Sequence, residues 1–216
     1  MIKAILCDRD GVLLDSEIVN IQSSLETLKV LDVHPDEEDE MMIMGKHPLD
    51  YVDFFVGKYH INGEQFLALR SKLYNDLLAN AIVFDDTVKF LLRAKRDFML
   101  ATALVTSANH PTTMSVLAEH HLADLFDAVV TFEDCAIRKP SAHPYLVAAQ
   151  KLGVEPGQCV VIEDSPVGVV AAKSAGMVCI VRINAKNISL NFDEADLIVH
   201  NLYEARDFLS DLCKKE

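Results

Sequence analysis

Cysteine is sparse, with Cys7, Cys135, Cys159, Cys179 and Cys213 scattered along 216 residues and no two standing as C-x-x-C. That spacing argues against a zinc site or a disulfide framework, and three of the thiols lie in or beside apolar runs, where a reduced cysteine acts as a small hydrophobe. Long hydrophobic runs are also missing. The stretch from Met1 to Leu6 is apolar for only a few residues before Asp8, so neither a signal peptide nor a membrane span is expected, and the expected compartment is the reduced cytoplasm. Basic residues are in deficit, 20 against 33 acidic ones, for a formal charge of -13, and they cluster on no one segment. Such a surface repels nucleic acid and anionic lipid, so neither is an expected partner. Internal repeats and low-complexity segments are lacking as well, and a monomer or weak homo-oligomer is expected.

What is present describes a folded protein: half of the residues are hydrophobic and a quarter charged, too apolar for sustained disorder. Apolar runs of strand length occur at Ala4–Cys7, Met99–Val105, Ala128–Thr131, Cys159–Ile162, Val178–Val181 and Leu197–Val199. Helical patterns separate most of them, which predicts a parallel sheet covered on both faces. About 90 residues separate the first two strands, far more than one crossover helix needs. The insert reads as helical, with Ile18, Ile21, Leu25 and Leu28 at helix spacing after Asp15-Ser16, and Phe66, Leu69, Leu73 and Leu77 repeating further on. Residues 16–80 are therefore expected to form an all-α accessory domain, with 1–15 plus 81–216 as the α/β core. The acidic run Asp36 to Glu40 reads as a solvated helix start.

The chemistry collects where strands end, the side of an open parallel sheet on which ligands bind. After the first strand comes Asp8-Arg9-Asp10-Gly11: two carboxylates one residue apart converge if Gly11 turns the chain, so that one can attack while the other carries protons. Paired acids in a loop are also commonly solvated or calcium-binding. After the second strand stand Thr106, Ser107 and Asn109, a place suited to phosphate or simply to a helix cap. Lys139, beside Pro140, offers a compact positive charge. The fourth strand runs into Glu163-Asp164-Ser165-Pro166, hard oxygen donors of the kind magnesium accepts, although Asp164 could instead only cap the following helix. Were Asp8, Asp10, Glu163 and Asp164 to converge, each close pair would repel by roughly 4 kcal/mol at about 4 Å and an effective dielectric near 20. A divalent cation and Lys139 would offset that repulsion.

With these residues the chain resembles the haloacid dehalogenase superfamily, and within it the β-phosphoglucomutase-like phosphatases with an α-helical cap inserted after the first strand. The motifs run from Asp8 to Asp164, and the stretch from Glu163 to Met177 follows the family pattern closely. The resemblance implies a Rossmann-like, doubly wound parallel-sheet core and a magnesium-dependent phosphatase acting on a small phosphorylated metabolite. It implies Asp8 as the nucleophile that becomes an aspartyl-phosphate and Asp10 as the proton carrier. Thr106, Ser107 and Lys139 would hold the phosphoryl group. Mg2+ would be held by Asp8, the Asp10 carbonyl, Asp164 and, directly or through water, Glu163. On the substrate side it suggests Asn20, Lys46 and His47. Departures are Arg9 for an apolar residue, Arg138 for the glycine before the lysine, and His143 for an aspartate. Asn20 and Pro48 stand where a mutase would carry histidine and arginine, which favours hydrolysis over isomerisation; a sugar-phosphate mutase and a non-catalytic binding protein of the same fold are the alternatives.

Overall fold

The computed structural model describes residues 1–44, 46, 48–78, 80–184 and 187–214; His47 lies outside them. Two compact units are present, 1–14 with 83–216, and 15–82. In chain order the elements are β1 (Ala4–Asp8), β2 (Leu14–Asp15), α1 (Ser16–Val30), α2 (Glu37–Ile43), α3 (Pro48–Tyr59), α4 (Gly63–Leu78), β3 (Ile82–Val83), α5 (Asp85–Phe98) and β4 (Ala101–Val105). They continue with α6 (His110–Glu119), β5 (Ala128–Val130), α7 (His143–Leu152), β6 (Cys159–Glu163), α8 (Pro166–Ser174), β7 (Val178–Arg182), β8 (Leu197–Val199) and α9 (Arg206–Lys214).

The larger unit is built on a six-stranded sheet of order β5-β4-β1-β6-β7-β8, every pairing in it parallel. Its strands are short runs of Val, Ile, Leu, Ala and Cys, and β1 and β6 are buried along their full length, as strands covered on both faces must be. Successive side chains alternate between faces. Ala4, Leu6, Ala103, Val105, Val161 and Val181 pack with Tyr145 and Ala148 of α7 and Ala171 and Ala172 of α8, and the intervening Ile5, Leu104, Val160, Ile162 and Ile180, equally buried, point the other way. From β1 the chain winds outward through β4 and β5, then returns to the far side of β1 for β6, β7 and β8. The winding reverses beside β1, and that reversal opens a crevice at the carboxyl ends of β1 and β6. Register brings Cys7 level with Ile162 and Asp8 level with Val105, so Asp8 and Glu163 finish neighbouring strands.

Local chemistry ends the helices around this crevice. Ser165 caps α8, its Oγ accepting from Gly168 N at 3.1 Å, with Pro166 in the first turn, where its missing N–H costs nothing. The backbone at Gly153 and Gly176, after α7 and α8, turns left-handed, φ 68° and 73°, the conformation a helix C-terminus favours and glycine adopts freely.

The smaller unit is helical. Its core is Leu28, Ile43, Tyr51, Val52, Phe55 and Phe66, drawn from all four helices. Tyr51, Phe55 and Phe66 meet in tilted and edge-on ring pairs 5.4 to 6.4 Å apart, the arrangement ring quadrupoles prefer. The acidic run does begin a helix, α2, with Asp36 and Asp39 exchanging side-chain-to-backbone bonds at 3.1 and 2.8 Å. It is not simply solvated, however. Asp39 is fully buried, held by Lys58 at 2.8 Å and the Tyr59 hydroxyl at 2.5 Å, while Lys58 also reaches Asp36 and Glu38. Among the described residues no helix is long and apolar enough to cross a membrane.

Candidate active site

β1 ends at Asp8, and the chain then folds sharply back. The amides of Leu13 and Leu14 both donate to Arg9 O at 2.9 Å, and Gly11 N to Leu14 O at 2.8 Å. Gly11 adopts φ +76°, and a Cβ built on it would fall on the Asp164 carboxylate. Glycine is thus required there twice over, for the backbone conformation and for the close approach of Asp164.

Lys139 lies between two carboxylates, its Nζ 2.5 Å from Asp8 Oδ1 and 2.5 Å from Glu163 Oε1, with its ammonium 4.9 Å from the centre of the Tyr145 ring. Glu163, fully buried, is saturated by the protein. Its Oε1 accepts also from the Tyr145 hydroxyl at 2.6 Å, and its Oε2 from Asp164 N, Ser165 N and Ser165 Oγ at 3.0, 3.2 and 3.0 Å. Gly168 leaves room for this carboxylate, since a Cβ there would collide with it. One oxygen each from Asp8, Glu163 and Asp164 lie within 4.8 Å of one another. Asp164 is anchored through its backbone, its carbonyl accepting from Asn187 Nδ2 at 2.8 Å.

The electrostatics follow from burial among like charges. Burial pushes Asp8 up to about 7; Lys139 opposes the shift and Glu163 and Asp10 reinforce it. Asp164 is raised well above the usual carboxylate range, first by burial and then by Glu163, Asp8 and Asp10. Burial acts upward on Glu163 too, but the Lys139 charge and the bonds from Lys139 and Tyr145 outweigh it and hold this carboxyl low. Burial disfavours the Lys139 ammonium, yet Asp8 and Glu163 more than compensate and raise its pKa. One amine thus serves two acids, while Asp164 has no cation of its own and its carboxylate accepts no hydrogen bond among the described residues. A hard cation fits that deficit: the donors are carboxylate oxygens, buried and crowded, with Asp164 uncommitted.

The remaining candidates are arranged as follows. Asp10 is turned onto its neighbour Arg9, Oδ2 accepting from Nε at 3.1 Å and Nη2 at 2.9 Å, and it stands outside the three-carboxylate group. Thr106 is buried at the end of β4, its Oγ1 accepting from Ala108 N at 3.1 Å, and Ser107 next to it is exposed. Asn109 caps α6 through Thr112 N at 2.9 Å. In the helical unit, Asn20 Oδ1 accepts from Arg70 Nη2 at 2.5 Å and from the Tyr51 hydroxyl at 3.4 Å, and its Nδ2 reaches Lys46 O at 3.4 Å. Lys46 itself is exposed. Sequence reasoning missed Tyr145, Gly168, Asn187 and Arg70, and noticed Arg9 only as a departure from the family pattern. Tyr145 left one usable signal, a lone phenol in an otherwise apolar helical run six residues beyond Lys139.

A doubly wound parallel sheet that gathers buried carboxylates and an amine at its carboxyl end defines a Rossmann-like α/β protein with an acidic site at the strand ends. Residues 2–176 match the haloacid dehalogenase-like hydrolase family, and the chain belongs to it, as a phosphoric monoester hydrolase. Hexitol phosphatase B of Escherichia coli K12 is 30% identical over 188 residues, covering 83% of each chain. YhcW of Bacillus subtilis 168, a candidate phosphatase, is 29% identical over 212 residues, 94% of each. The solved structure of a candidate β-phosphoglucomutase from Thermotoga maritima superposes with a TM-score of 0.83 at 23% identity, covering 97% of this chain and 99% of that one.

Proposed function

We propose that the protein is a magnesium-dependent phosphatase that hydrolyses a small phosphomonoester, such as a sugar phosphate or a nucleotide, through an aspartyl-phosphate on Asp8. The observation that carries this reading is the convergence of Asp8, Glu163 and Asp164 around a single amine. Asp8 is the attacking carboxylate, and Lys139 keeps it oriented while countering the charge that gathers on the phosphoryl oxygens. Thr106, with the backbone near Ser107, would cradle that group. Asp10 passes a proton to the leaving oxygen and then takes one from water.

Mg2+ would be held by Asp8, Asp164 and the Asp10 carbonyl, and when bound it would neutralise the phosphate and the crowded carboxylates. Glu163, whose oxygens are already taken by Lys139, Tyr145, Asp164 N and Ser165, adds negative charge beside the ion and holds Lys139 in place. Asn20, Lys46 and His47 are proposed on the substrate side. Uncatalysed hydrolysis of phosphate monoesters is so slow that enhancements approach roughly 10²¹-fold, so covalent capture, charge neutralisation and proton transfer must act together.

The test is phosphate release from a panel of metabolite monoesters with magnesium or with EDTA, beside Asp8→Asn. Metal-dependent release that the substitution abolishes is expected. Turnover surviving in Asp8→Asn would remove the covalent mechanism.

A further inference from the structure

We propose that Arg9 is a positioning residue that holds the Asp10 carboxylate for the attack of water on phosphorylated Asp8; this deepens the function just proposed and rests on it. Arg9 stands where the resembling family carries an apolar residue, and its side chain is 2% exposed. Burying such a charge is costly unless it is paired, and here the adjacent residue supplies the pair. Successive side chains on a strand point to opposite faces. The fork forms only because the chain leaves β1 at this point, with Gly11 turned to φ +76°. Arg9 Nε and Nη2 meet Asp10 Oδ2 at 3.1 and 2.9 Å, and Nη2 also meets Oδ1 at 3.1 Å. Nη1 reaches Thr113 Oγ1 of α6 at 3.5 Å, which ties the guanidinium to a second element of the same unit.

The fork fixes the plane of the Asp10 carboxylate. A carboxylate has about four lone-pair positions, and these contacts occupy both on Oδ2 and one on Oδ1. Among the described residues one position on Oδ1 stays open, on a side chain 40% exposed to solvent. That is the acceptor a water molecule needs. In the second half-reaction the water oxygen bonds to phosphorus and the bond from phosphorus to the Asp8 oxygen breaks, returning its electron pair to the Asp8 carboxylate. The proton of water goes to Asp10, and inorganic phosphate leaves. An acceptor displaced by about 1 Å slows such a step about 10²-fold.

The experiment uses p-nitrophenyl phosphate, whose leaving group needs no proton, so the first half-reaction does not depend on Asp10. With magnesium present, steady-state kinetics and rapid acid quench of protein-bound phosphate are compared for wild type, Arg9→Met, Arg9→Lys, Asp10→Asn and the Arg9→Met/Asp10→Asn double variant. In Arg9→Met, kcat and KM are expected to fall together by about 10²-fold, leaving kcat/KM near wild type, while phosphoenzyme rises toward one equivalent. Arg9→Lys, with a charge but no fork, is expected between the two, and Arg9→Met is expected to add nothing to Asp10→Asn. A fall in kcat/KM that matches the fall in kcat, without accumulating phosphoenzyme, would mean that Arg9 only supports the fold and would overturn the proposal. Wild type that forms no phosphoenzyme would sink the proposed function itself; wild type that forms it beside an Arg9→Met that does not accumulate it sinks this inference alone.

Discussion

Replacing Lys139 by methionine removes the amine and keeps most of the side-chain volume, so it isolates what one charge contributes between two buried acids. The ammonium lies 2.5 Å from an oxygen of each, and at an effective dielectric near 20 each contact is about 7 kcal/mol in gross attraction. Desolvation of the buried charges cancels much of that, and removing one partner of a buried pair typically costs about 3–5 kcal/mol. The loss also has a ceiling, because Glu163 can take up a proton, as folded Asp8 has already done below about 7. Holding Glu163 neutral against its ordinary value of 4.5 costs about 1.4 kcal/mol per pH unit, which comes to about 5 kcal/mol at pH 8 and about 1 kcal/mol at pH 5. Urea unfolding of the metal-free proteins should therefore show the variant about 3–5 kcal/mol less stable at pH 8 and no more than about 1 kcal/mol less stable at pH 5. The larger loss is a substantial part of the 5–15 kcal/mol by which domains of this kind are typically stable. A loss under about 1 kcal/mol at pH 8, or equal losses at the two pH values, would refute the reasoning that the amine bridges two ionised acids.

Metal-free wild type should itself lose stability as pH rises from about 4 through about 7, because over that window folded Asp8 keeps a proton that the unfolded chain has released. Asp164 acts in the same direction; Glu163, held low, acts in the opposite one, its contribution present above its ordinary value and lost as the solution turns acid. Thermal denaturation with and without Mg2+ should accordingly show a larger stabilisation by the ion at pH 8 than at pH 5, and the reverse order would contradict the assignment. Gly11→Ala should weaken Mg2+ binding by about ten- to a hundred-fold, since the new methyl displaces Asp164; calorimetric titration of the ion would measure it, and unchanged affinity would mean that Asp164 is not a ligand.

Much of the sheet could be read from composition alone, because strands buried on both faces cannot hide their hydrophobicity. Cys159–Ile162 and Leu197–Val199 appear within a residue of their strand bounds. The residues at strand ends, Asp8, Glu163 and Asp164, stood out because charge follows abruptly on an apolar run, and Lys139 because it stands beside a proline ahead of a helix. What the sequence concealed was pairing. The fork between Arg9 and Asp10 depends on where the chain leaves the strand, and Tyr145 looks like one more core aromatic until its hydroxyl is found on Glu163. Asp39 was likewise hidden in a run of acids; Lys58 and Tyr59, about twenty residues away, make it a buried anchor. Such contacts are set by tertiary geometry, which one-dimensional periodicity does not encode.

The phenol of Tyr145 has a practical value of its own. The chain contains five tyrosines and no tryptophan, so tyrosine dominates its near-ultraviolet absorption and emission, and one of those chromophores sits buried against the acid that steadies Lys139. Any change of charge around that acid alters the field on the ring. The protein therefore carries an intrinsic optical reporter at its chemical centre, through which occupancy could be followed in real time without a dye.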